Sequence, residues 1–108
     1  MISEIEENRD RISRLCQQFG VKRLEVFGSA ATGAFNSARS DIDFVIDFEE
    51  LENQSLFKRY FGLKEELEAL FGRPVDLVMS DAMKNPFFIE SVNRTRQPLY
   101  AGQVPQAA

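Results

Sequence analysis

The chain has no histidine and no tryptophan, and Cys16 is its only cysteine. Without histidine, no residue here can serve as the imidazole base of a Ser-His or Cys-His mechanism, and hydrolase readings lose most of their support. A single cysteine excludes an internal disulfide and leaves no thiolate cluster for zinc. Cys16 falls in a helical pattern, where a small buried residue is a better reading than a nucleophile. No apolar run approaches the ~20 residues of a membrane span, and the opening stretch MISEIEENRDRISRL is charged throughout, so a soluble, cytoplasmic protein is expected. Dense basic stretches are missing too: 17 Asp and Glu stand against 13 Lys and Arg, a formal net charge of −4. Strong attraction to a nucleic-acid backbone or an anionic membrane is not expected.

What is there fits one domain with one modest core: 108 residues, 44% hydrophobic and 28% charged. Ile5, Ile12, Leu15, Cys16 and Phe19 recur at spacings that predict one amphipathic helix over 3–19, with Ser3 available as a cap and Gly20 just past its end. VKRLEVFG (21–28) predicts a short strand ending at Gly28, and the small residues of 29–40 allow one or two helical turns before a polar loop. DIDFVIDF (41–48) is the clearest strand. Its alternation puts Ile42, Phe44, Ile46 and Phe48 on one face and Asp41, Asp43, Val45 and Asp47 on the other. A second amphipathic helix is predicted over 55–71, closed by Gly72, and a third strand over 73–79. Asp81 is expected to cap a turn, Phe87 to Thr95 to form a last helix, and PLYA (98–101) an edge strand. Together these predict an α+β chain with α/β-like alternation: a domain over 1–102 and a loose tail over 103–108. Phe57, Tyr60, Phe61 and Phe71 are read as mostly core, and buried packing is the better reading for Phe87 and Phe88. Arg94 and Arg96 are open between a phosphate and water.

Asp41, Asp43 and Asp76 each interrupt an apolar strand, where an unpaired carboxylate is costly. If the second and third strands are close in the sheet, these acids converge near the strand ends. Two such charges at about 5 Å repel by roughly 3 kcal/mol at an effective dielectric of 20, and a divalent cation turns that repulsion into binding. Mg²⁺ is usually held by one or two carboxylates and keeps its other positions for water and phosphate, which points to phosphoryl or nucleotidyl transfer. Gly28-Ser29 fits, because a glycine at a strand end lets backbone approach a ligand and the following short helix presents N–H groups to a phosphate. Asp47 shares the face of Asp43 but lies about 13 Å along the strand, so it is assigned to solvent or a surface ion pair. Ser40 is read as a turn residue that positions Asp41 rather than as a nucleophile, since no base is available to activate it.

The ordered set Gly28-Ser29, then Ser40-Asp41-Ile42-Asp43, then Asp76 in a later strand resembles the minimal nucleotidyltransferases, the MNT group of the polymerase-beta-like superfamily. The resemblance covers nearly the whole chain and implies the polymerase-beta-like fold, a small mixed sheet with helices packed on it. It implies that Gly28 and Ser29, with Ser40 beside them, bind the β- and γ-phosphates of a nucleoside triphosphate. Asp41, Asp43 and Asp76 then hold two Mg²⁺ ions, and Asp76 helps deprotonate the acceptor hydroxyl. ATP is the implied donor. The implied partner is a HEPN-domain toxin, which such antitoxins adenylylate on a tyrosine, in a hetero-oligomer. The chain departs from the pattern at one point: many relatives carry Arg three residues after the Ser, where Thr32 precedes Gly33 here. Arg39 or another cation would have to supply that charge. The competing readings are a non-catalytic antitoxin that neutralises its partner by contact, and a small-molecule nucleotidyltransferase.

Overall fold

The computed structural model describes residues 1–33 and 41–102. The opening segment forms two helices, α1 (Ser3–Glu7) and α2 (Arg9–Gln18), rather than the single helix expected. Asn8 makes the break: its backbone leaves the helical region at φ −110°, ψ 14°, and its side-chain amide donates to the Glu4 carbonyl at 2.7 Å. A short side chain that bonds to nearby backbone competes with the helix ladder in this way. Ile5 and Ile12 still reach the same core on either side of the break. Ile2 occupies the capping position expected of Ser3, and no side chain caps α1.

β1 (Val21–Phe27) leads through Gly28 into a single-turn helix, α3 (Ser29–Thr32), and β2 (Ile42–Phe48) follows. α4 (Leu56–Phe71) starts at Ser55, whose hydroxyl accepts the Lys58 N–H, and ends at Gly72 with φ +66°. β3 (Val75–Met79) is followed by a single 3₁₀ turn, Ser80–Ala82, which contains Asp81 rather than being capped by it. α5 (Pro86–Thr95) begins where Asn85 accepts the N–H groups of Phe87 and Phe88, with Pro86 in the first turn. β4 (Gln97–Ala101) closes the sheet.

The strand order is β3-β2-β1-β4. β1 runs antiparallel to both β2 and β4, whereas β2 and β3 are parallel, with α4 as their crossover. β4 is an edge strand, as its sequence predicts. The main core lies on the face of β2 that presents Ile42, Phe44 and Ile46, packed with Ile12, Cys16, Leu63 and Leu67. The opposite face is not simply acidic: Val45 is buried there with Phe27 and Val92 of α5.

Two aromatic assignments change. The buried stripe of α4 runs through Arg59, Leu63, Leu67 and Phe71 at four-residue steps, which turns Phe57 and Phe61 outward at 70% and 44% exposure. On α5 Val92 is buried, but Phe88 remains 38% exposed, so neither Phe87 nor Phe88 has the buried packing expected of it. Phe88 meets the Phe27 ring edge-on at 5.9 Å, while Phe87, one position off, is 82% exposed. Arg59 is the one charged side chain buried among the described residues. Its guanidinium donates to the carbonyls of Phe19, Gly20 and Glu49 and lies 5.0 Å over the Phe48 ring.

Candidate active site

Register decides which acids meet. In the parallel β2–β3 pair Asp43 lies opposite Asp76, and in the antiparallel β1–β2 pair it lies opposite Phe27. The end of β1, the start of β2 and the start of β3 therefore meet at one end of the sheet. Asp43 is half-buried, and its carboxyl is raised from 3.8 to about 6. Burial is the main cause; the Asp76 carboxylate adds repulsion and a hydrogen bond, and Asp41 adds repulsion. Asp76 and Asp41 are exposed.

The structure thus sets Asp43 and Asp76 opposite each other as a carboxyl pair, with Asp41 acting on Asp43 through its charge. Among the described residues no three ligand-type side chains already have the spacing of a metal cage. A pair of hard oxygen donors nevertheless suits Mg²⁺, which ordinarily takes one or two carboxylates.

Gly28 is pressed against Asp43. Its φ of +71° and ψ of −150° strain any other residue, and a Cβ placed there would lie 3.0 Å from Asp43 Oδ2. The Gly28 N–H donates to Thr95 Oγ1 at 2.8 Å. Ser29 opens α3 and is half-buried beside it. Thr32 is exposed, and its hydroxyl donates to the Ser29 carbonyl at 3.4 Å. Ser40 and Arg39 lie outside the described residues.

The remaining charges near these elements serve structure. Asp47 forms the surface ion pair expected of it, with Arg23 at 3.0 Å, and also accepts from the Ser80 hydroxyl. Burial raises its carboxyl, but Ser80 and Arg23 outweigh that and hold it below the ordinary value. Arg94 pairs with Glu90 at 2.6 Å, and Arg96 with Glu25 and Asn93. Cys16 is fully buried, and burial pushes its thiol up to about 12, as befits a core residue. A separate cleft at the far ends of β2 and β3, lined by Phe48, Leu51, Leu56, Arg59 and Met79, contains neither Asp43 nor Asp76. No helix among the described residues is long and apolar enough to cross a membrane.

Residues 9–99 match the family model of the nucleotidyltransferase domain. The chain belongs to the nucleotidyltransferase family. It is an enzyme of that class, and it is 45% identical over 71 residues to the protein adenylyltransferase MntA of Thermococcus cleftensis, covering 66% of this chain and 68% of the relative. A solved candidate minimal nucleotidyltransferase superposes with a TM-score of 0.70 at 35% identity, over 87% of this chain and 91% of that one. The four-stranded mixed sheet is accordingly the polymerase-beta-like nucleotidyltransferase fold. The same fold recurs, at 19% identity and a TM-score of 0.61, in a solved complex of a tri-AMPylated Shewanella oneidensis HEPN toxin with its MNT antitoxin, over 90% of this chain and 72% of that one.

Within this nucleotidyltransferase, Thr95 and Gln97 escape sequence reasoning. Their roles rest on bonds to backbone groups more than 60 residues away, to Gly28 N–H and the Ala31 carbonyl.

Proposed function

We propose that this nucleotidyltransferase moves AMP from ATP to a tyrosine hydroxyl of a HEPN-type toxin in the cytoplasm and so acts as its antitoxin. The observation that carries the reading is the Asp43–Asp76 pair lying beside the Gly28-Ser29 turn. The adenylyltransferase name of the Thermococcus relative and the HEPN–MNT complex of the same fold support the choice of group and partner.

In this reading residues 1–102 are the transferring unit, and the Gly28-Ser29 turn receives the β- and γ-phosphates. Asp43 and Asp76, with Asp41, hold Mg²⁺. Bound Mg²⁺ supplies neutralisation of phosphate charge and alignment of the attacking and leaving oxygens. The acceptor oxygen forms a bond to the α-phosphorus, the bond from that phosphorus to the bridging oxygen breaks, and pyrophosphate leaves with the electron pair. The hydroxyl proton passes to the Asp76 carboxylate and then to water.

A second reading, neutralisation by contact alone, is favoured by Thr32, which carries no charge for a triphosphate. Intact-mass spectrometry separates the two. The protein encoded beside this chain is incubated with it, Mg²⁺ and ATP. The expected gain is one or more AMP masses, absent when the Asp41→Asn, Asp43→Asn double variant replaces the wild type. A stable complex with no mass gain would overturn the transferase reading.

A further inference from the structure

α3 is a single helical turn, too short to persist by its own hydrogen bonds. It is held from outside. The Gly28 carbonyl accepts from the N–H groups of Ala31 and Thr32 at 3.0 and 3.2 Å. The Ala30 carbonyl accepts the Ile2 N–H at 2.9 Å, and the Ala31 carbonyl accepts both the Met1 amine at 2.7 Å and Gln97 Nε2 at 3.0 Å. At the other end of the turn, Thr95 Oγ1 takes the Gly28 N–H. Thr95 ends α5 and Gln97 begins β4, with Arg96 between them in an extended conformation at φ −60°, ψ 135°. Alternate side chains of extended backbone point the same way. Thr95 and Gln97 therefore reach the turn together, while Arg96 reaches Glu25 and Asn93.

The bond to Thr95 also changes the role of Gly28. With its N–H directed at Thr95 and its carbonyl at Ala31 and Thr32, Gly28 has no donor left for a phosphate. Its task is conformational: it brings the turn within 3.0 Å, at a Cβ position, of Asp43 and places Ser29 next in line.

We propose that Thr95 is a positioning residue for the triphosphate, acting through the Gly28 N–H to fix the turn that presents Ser29. The inference rests on the nucleotidyltransferase site proposed above. It separates two properties of one side chain, since the hydroxyl oxygen is the acceptor and the branched shape only packs.

The test compares full-length Thr95→Val, which keeps the shape, with Thr95→Ser, which keeps the acceptor. Affinity for a non-hydrolysable ATP analogue with Mg²⁺ is measured by calorimetry, and amide hydrogen exchange is followed at Gly28. Thr95→Val removes the acceptor of the Gly28 N–H along with the hydroxyl's longer 3.5 Å bond to the Ser91 carbonyl, and loss of the Gly28 bond predicts about tenfold weaker analogue binding and about tenfold faster Gly28 exchange. Thr95→Ser is expected within about twofold of wild type in both. Equal binding by Thr95→Val and wild type overturns the inference and leaves the nucleotidyltransferase site standing. So does a Thr95→Ser variant as weak as Thr95→Val, since packing would then be the cause. A wild type that does not bind the analogue overturns the site reading itself, and the inference with it.

Discussion

Replacing Asp43 by Asn should stabilise the ligand-free protein while removing its activity. The carboxyl of Asp43 is raised from 3.8 to about 6, chiefly by burial and then by Asp76. A rise of that size corresponds to about 3 kcal/mol at ~1.36 kcal/mol per pH unit. Asp43 is only half-buried, so solvent screening reduces this to about 1–1.5 kcal/mol. The sign follows from linkage. A carboxyl whose pKa is higher folded than unfolded has no penalty below the unfolded value; the penalty grows between 3.8 and about 6 and is complete above that. The Asn side chain removes the charge and can donate to the Asp76 carboxylate. For a domain of this size the melting temperature at about pH 7.5, with chelator present, should rise by roughly 5–10 °C. The gain should shrink as the pH falls towards about 4.5. Circular-dichroism melts across that range test it. A variant that melts no higher than wild type at neutral pH, or whose advantage is undiminished in acid, would refute the argument that Asp43 is held charged at a penalty.

Gly28→Ala should destabilise the fold by about 2 kcal/mol in urea melts, because a side chain is strained at positive φ and its Cβ would crowd Asp43, and nucleotide transfer should fall with it. Arg59→Met removes the guanidinium bonds to the Phe19, Gly20 and Glu49 carbonyls, of which Gly20's keeps the Glu49 N–H, and should lower stability by about 3 kcal/mol by the same measurement; Arg59→Lys should recover little, since one ammonium cannot span the three. The Cys16 thiol, pushed up to about 12 by burial, should be unreactive towards a disulfide reagent in the native protein at about pH 8 and titrate as one thiol in denaturant. Reaction of the native thiol at the rate of a free one would contradict its burial.

The strands and longer helices were legible because each rests on local periodicity. DIDFVIDF alternates, and Leu63 and Leu67 recur at helical spacing with a serine before and a glycine after. The acids were legible as exceptions within those patterns. Their meeting was not, since it depends on β2–β3 register, and a slip of one residue would turn Asp76 to the other face. Convergence was expected of three acids, and the register joins Asp43 to Asp76 with Asp41 at the strand mouth. The break at Asn8 was missed because the hydrophobic spacing from Ile5 to Ile12 is preserved across it. Phe57 and Phe61 were misplaced because the apolar residues of α4 span a wider arc than its buried stripe. Arg59 and Thr95 carry no sequence signal at all, since their partners are backbone groups brought near only by the finished fold.

β4 follows the other described strands in chain order and pairs with β1, the first of them. On a ribosome, a chain that has not yet released Thr95 to Ala101 has an open β1 edge and a Gly28 turn without its Thr95 bond. The sheet edge and the Gly28 turn are thus completed by one segment, and a truncated product lacking it would be liable to pair its bare strand with another chain.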